Sequence, residues 1–84
     1  MATGTNLLPM NAQRRARISA QLQIILDARN ELDSIKDEEQ EYYDNMPEGL
    51  KEGEKAQAAT ESIDQLETTV GNLDDAMSSL ENIE

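Results

Sequence analysis

Between Ala56 and Leu80 the residues Ala56, Ala59, Ile63, Leu66, Val70, Leu73, Met77 and Leu80 recur in steps of 3, 4, 3, 4, 3, 4 and 3. An α-helix turns about 100° per residue, so this spacing holds all eight on one stripe, whereas a strand would divide them between two faces. The pattern predicts an amphipathic, coiled-coil-like helix over residues 54–83. Its alternate positions carry Ala, Ile, Val and Met, and the others Ala, Leu, Leu and Leu. The stripe therefore begins small and grows larger, which lets a neighbouring backbone approach closely near its start. Gly71 interrupts the run and weakens it by roughly 1 kcal/mol relative to Ala unless close packing offsets the loss.

An apolar stripe needs something to cover it, and the first half of the chain supplies a candidate. After the plausible cap Asn11, the residues Ile18, Leu22, Ile25, Ala28, Leu32, Ile35 and Tyr42 fall on one face of a helix over 11–44, with Ile24 and Leu26 broadening it. Between the arms, residues 45–53 contain Pro47, Gly49 and Gly53 and must turn, because Pro47 disfavours helix at Met46. The arms match in length. The expected fold is all-α: an antiparallel two-helix hairpin, with residues 1–10 as a flexible leader. Each stripe of a lone hairpin touches only one partner helix, so the hairpin is expected to assemble into a four-helix bundle or a higher oligomer, a dimer being the simplest solution. The expected oligomer seam is Ile18, Leu22, Ile25, Leu32, Ile35, Ile63, Leu66, Val70, Leu73, Met77 and Leu80.

Composition narrows the chemistry. The 84 residues include no Cys and no His, which removes disulfides and the usual zinc or haem ligands as stabilisers and leaves helix packing and association. The formal charge is −11, unevenly spread: four Arg against Asp27 give +3 through residue 29, and three Lys against seventeen acids give −14 from residue 30 onward. Such a surface repels phosphate backbones, and two Tyr as the sole aromatics offer no stacking platform, so nucleic acid is not an expected partner. Neither a signal peptide nor the roughly 20 apolar residues of a membrane span can be read from the sequence.

Catalysis is not expected. Without His or Cys, the remaining options are Ser–Lys or paired-carboxylate arrangements, and these residues lie on polar faces with no glycine-rich turn beside them. Gly49 and Gly53 sit among Glu48, Glu52 and Glu54, a setting hostile to phosphate. The acidic run Asp37, Glu38, Glu39, Glu41 and Asp44 lacks the spacing of an EF-hand loop and reads as a solvated face rather than a metal site. No cofactor is expected.

Two clusters remain as binding candidates. Arg14, Arg15 and Arg17 gathered around a symmetry axis would clamp a small anionic ligand such as a nucleotide; the favoured alternative is that they pair with Asp74, Asp75, Glu81 and Glu84 at the open end of the hairpin. Tyr42 and Tyr43, with Met46 and Leu50, form a recognition patch beside the turn, or else Tyr42 continues the seam and Tyr43 caps the bundle.

The segment from Glu38 through Tyr42, Tyr43, Asp44, Asn45, Met46, Pro47 and Glu48 to Leu50, followed by Gly53 and Glu54, resembles a group of small acidic proteins of bacteriophages and mobile elements. That group carries an E-Y/F-x-D-N-M-P-E-x-L turn between two helices. The resemblance covers residues 12–84, is most specific in the turn, and marks Tyr42 to Glu48 as the distinguishing positions. It implies a genomic setting without implying a mechanism, and the expected location is the cytoplasm of the bacterial host. The expected function is accordingly a phage-borne protein-interaction module that binds a host or phage protein, with inhibition of a host defence protein as the specific form. Sequestration of an anionic ligand by an oligomer, and a structural or scaffold role in a virion, are the alternatives.

Overall fold

The computed structural model describes residues 11–83. Residues 1–10, and with them the expected leader, lie outside the described residues, as does Glu84. Helix α1 spans Ala12–Asp44 and helix α2 spans Glu54–Glu81. The two pack against each other, joined by a 3-10 turn at Glu48–Leu50, and there is no strand among the described residues. The expected all-helical hairpin is thus present. At ~1.5 Å per residue, the 33 residues of α1 extend about 50 Å and the 28 of α2 about 42 Å.

Local chemistry sets the ends. Asn11, in extended conformation, accepts the Arg14 N–H on its side-chain Oδ1 at 2.9 Å and so satisfies one of the amides that the first turn of a helix leaves orphaned. At the other end of α1, Asn45 donates its N–H to the Glu41 carbonyl at 3.0 Å and Met46 donates to Tyr43 at 3.1 Å, after which Pro47, with ψ 144°, takes the chain out of the helix. Three tightening bonds follow: Leu50 N–H to Pro47 at 2.9 Å, Lys51 to Glu48 at 3.1 Å and Gly53 to Leu50 at 3.1 Å. No described residue has a positive φ, so the reversal is built from ordinary backbone conformations and these hydrogen bonds. Helix α2 stops two residues before the expected end, where Asn82 donates to Ser78 at 3.2 Å and Ile83 to Leu80 at 3.2 Å.

The core lies entirely on α2. Ala56, Ala59, Ile63 and Val70 are buried, while Leu66, Leu73, Met77 and Leu80 are half-buried. All eight positions of the 3-4 pattern therefore face α1. No buried side chain among the described residues carries an unsatisfied polar atom.

On α1 the seam takes a different path from the one the hydropathy suggests. Its half-buried positions include Ile18, Leu22, Ile25, Arg29, Leu32, Lys36, Glu39 and Tyr43, in unbroken steps of 4, 3, 4, 3, 4, 3 and 4, with Asp33 half-buried beside them. Ala28, Ile35 and Tyr42 are exposed instead, Ile35 at 41% and Tyr42 at 48%. The reason is geometric: the two successive three-residue steps from Leu22 to Ile25 and on to Ala28 fall about 120° short of two full turns, so that line leaves the seam. Alternation leads from Ile25 to Arg29. Tyr43 consequently takes the seam position expected of Tyr42, and Ile35 does not belong to the contact between the two helices.

Polar residues can occupy the seam because their stems are apolar and their charged heads reach outward. Arg29 Nε donates to Asp74 Oδ1 of α2 at 2.9 Å, with Asp33 at 3.9 Å from its Nη1. Lys36 Nζ lies 3.3 Å from Asp33 and 3.8 Å from Asp37. The hydrogen bond to Asp74 holds Arg29 charged beyond its usual range, against the opposing effect of burial, and the hydrogen bond to Asp33 does the same for Lys36. A raised cation pKa stabilises the fold fully below the unfolded value and is lost as pH rises through the folded one. These contacts are therefore complete at neutral pH and fail only in strong alkali.

Gly71 is exposed, and a Cβ built there would meet nothing within 4 Å. No close packing in the hairpin offsets its helix penalty. Gly71→Ala is expected to stabilise the chain by about 0.5–1 kcal/mol, read as a raised denaturation midpoint. A drop in stability would mean that a neighbouring molecule approaches the helix at this position.

Candidate functional site

The turn end concentrates exposed apolar surface. The proline that ends α1 and the 3-10 turn that follows place Tyr42, Met46, Pro47 and Leu50 around an open depression of ≈ 680 Å³, with Glu54 and Lys55 on its rim. Leu50 is 61% exposed, the highest value among the large apolar residues described. Tyr43 points elsewhere: it is half-buried in the seam, with the Lys51 ammonium 5.3 Å from its ring centroid and that ammonium 3.5 Å from Glu48 Oε1. This cation-π contact pins the turn to α1. The two tyrosines thus separate, Tyr42 to the surface and Tyr43 to the hairpin.

Asp44 accepts a hydrogen bond from Gln40 Nε2 at 3.0 Å and Asn45 caps α1, so both serve local structure while lying exposed beside the depression. The acids Asp37, Glu38, Glu41 and Glu52 surround the same end. Among the described residues, no group of three or more potential ligands is placed to hold a metal ion.

The apolar residues of α1 divide into two lines rather than forming the single broad face expected. Ile24, 59% exposed, lies on the same line of α1 as Ala28, Ile35 and Tyr42, roughly 90° round the helix from the seam. This line reaches the turn depression at Tyr42 and carries Glu31 and Glu38 between its apolar residues. The signal was available: α1 holds more apolar residues than one face can take, and their steps break the alternation twice.

The three arginines near the open end do not gather on one face of the chain. Arg14 and Arg17 line a shallow depression of ≈ 530 Å³ with Ile18, Gln21 and Leu80, whereas Arg15 lies on the other side of α1, beside Glu81 and Ile83. Asp74, expected opposite this cluster, is held by Arg29 instead. The reason is again the helical turn, since residues 14 and 15 diverge by about 100°.

No described helix is long and apolar enough to cross a membrane. Compared with protein-family models, with curated proteins and with solved structures, the chain matches none.

Proposed function

We propose that this chain is a non-enzymatic protein-interaction module, working as a homo-oligomer, that grips a protein target with its turn end. The observation that carries the reading is the turn depression, where Tyr42, Met46, Pro47 and Leu50 present apolar surface with Glu54 and Lys55 on the rim and the acids Glu41, Asp44, Glu48 and Glu52 close by in the chain. An aromatic and aliphatic anchor ringed by charge suits a target offering an apolar side chain flanked by basic residues. The rim steers such a partner, and the apolar centre holds it.

The narrower form of the proposal is a mobile-element protein acting in the bacterial cytoplasm as an inhibitor of a host defence protein. Its support is the resemblance of the Glu41 to Leu50 segment to the phage-borne turn. Sequestration of a small anionic ligand ranks second, because it requires Arg14, Arg15 and Arg17 to converge and a single chain keeps Arg15 apart from the other two. A virion scaffold role has no separate support in the geometry.

The test is affinity capture from phage-infected bacteria with the wild-type chain and with Leu50→Ser. Leu50 is exposed, so the substitution should leave helix content unchanged. A stoichiometric partner should remain bound to the wild type at high salt and bind Leu50→Ser at least about tenfold more weakly, which corresponds to ~1.4 kcal/mol. Equal capture by both chains would remove the turn from the interface. Release of the partner at moderate salt would turn the proposal into simple charge attraction.

A further inference from the structure

We propose that the stripe Ile24, Ala28, Ile35 and Tyr42 is covered by α1 of a second copy of this chain, running antiparallel to it. The inference rests on the proposed reading of the chain as an assembling module and supplies the face and the direction of the assembly.

Charge selects the occupant and its orientation. From Ala12 to Arg29, α1 holds four Arg against Asp27, a net +3; from Glu31 to Asp44 it holds Lys36 against seven acids, a net −6. Both ends carry the wrong sign for the dipole of the helix itself, which favours acids in the first turn and bases in the last, and α1 has neither. Helix α2 relieves only part of this. Arg29 pairs with Asp74, but the side chains of Arg14 and Arg17 have no ion-pair partner among the described residues, and the acidic end of α1 adjoins Glu48, Glu52 and Glu54. A second α1 laid antiparallel brings the basic end of each copy to the acidic end of the other. A parallel second copy would stack acid on acid.

The stripe itself fits the same arrangement. Arg17 lies on its line seven residues before Ile24, so basic and apolar groups share one face. A two-fold axis between Glu31 and Leu32 sets Ala28 opposite Ile35 of the other copy, small against large, Arg17 opposite Met46, next to the acidic turn, Tyr42 opposite Gln21 and Ile24 opposite Glu39. Contact along the whole of α1, about 50 Å by 10 Å per copy, covers about 1,000 Å² in total, the lower bound for a specific interface, and the apolar stripe itself supplies about 27 Å of that length. The product is a four-helix bundle with one turn at each end, where Pro47 and Leu50 stay open to a target while Tyr42 and Met46 border the second copy.

The chain has no cysteine, so single introduced cysteines report the geometry directly. Ala28→Cys and Ile35→Cys are both conservative and exposed. The two variants would be mixed, refolded together under reducing conditions and then oxidised. The expected result is a covalent heterodimer formed well ahead of either homodimer. Faster homodimer formation by Ala28→Cys alone would overturn the antiparallel direction, and absence of any cross-linked species would overturn the interface. In parallel, Ile35→Asp is expected to retain helix content while losing the dimer mass; an unchanged mass would contradict the proposal. These readouts use the chain alone. Failure of cross-linking with Leu50-dependent capture intact would therefore discard the dimer and leave the turn as target site, and the converse result would do the opposite.

Discussion

Replacing Ile63 by Asp is expected to abolish cooperative folding of the hairpin at room temperature. Ile63 is one of only four buried residues described, the others being Ala56, Ala59 and Val70. The seam cations are already engaged, Lys36 by Asp33 at 3.3 Å and Asp37 at 3.8 Å and Arg29 by Asp74 at 2.9 Å, so a carboxylate at position 63 would be buried without a dedicated partner. Such a charge costs about 3 kcal/mol or more, and a chain of this size with so small a core has only ~4 kcal/mol to lose. Leu66→Asp and Leu73→Asp, at half-buried seam positions, are expected to act in the same direction with smaller effects. Far-UV circular dichroism through a denaturant titration reads the outcome, and a wild-type midpoint for Ile63→Asp would refute the seam.

Ala59→Leu is expected to cost about 1–3 kcal/mol, while Ala58→Leu one residue earlier changes stability by less than about 0.5 kcal/mol. Ala56 and Ala59 are the least exposed described residues because the helices approach closely above the turn, where no larger side chain separates them. Three added carbons at the buried position 59 must push the two helices apart. At position 58 they enter solvent. Equal midpoints for the two variants would show that the close approach does not exist.

How far these features could be read from the sequence differs between the arms. On α2 every seam position is apolar, so pattern and packing coincide from Ala56 to Leu80. On α1 the seam passes through Arg29, Lys36 and Glu39, whose aliphatic stems pack while their charges register as polar in any hydropathy pattern. Ala28, Ile35 and Tyr42 fit a hydropathy pattern because they are apolar, and these are the residues the hairpin leaves exposed. A strict test of alternation would have separated the two lines, since only one continues the steps from Ile18 through Leu22 to Ile25.

The turn was legible as a turn, from Pro47 and the residues around it, but the division of labour between its tyrosines was not. Which of two adjacent residues enters a seam depends on helix phase, and a one-residue error moves the choice by 100°. The arginine cluster shows the same limit. Residues adjacent in sequence diverge on a helix, and one cross-helix pair, Arg29 with Asp74, joins a cation outside the cluster to one of the acids expected to face it.

The central claim is that the hairpin buries too little by itself and completes its core by association. Thermal unfolding followed by circular dichroism over about a hundredfold range of protein concentration tests this most directly, because association raises the midpoint with concentration whereas an isolated fold has a fixed one. The expected result is a midpoint that climbs with concentration, together with a sedimentation mass at a multiple of the 9.4 kDa chain. A single cooperative transition at one temperature throughout, with the mass of one chain, would contradict it.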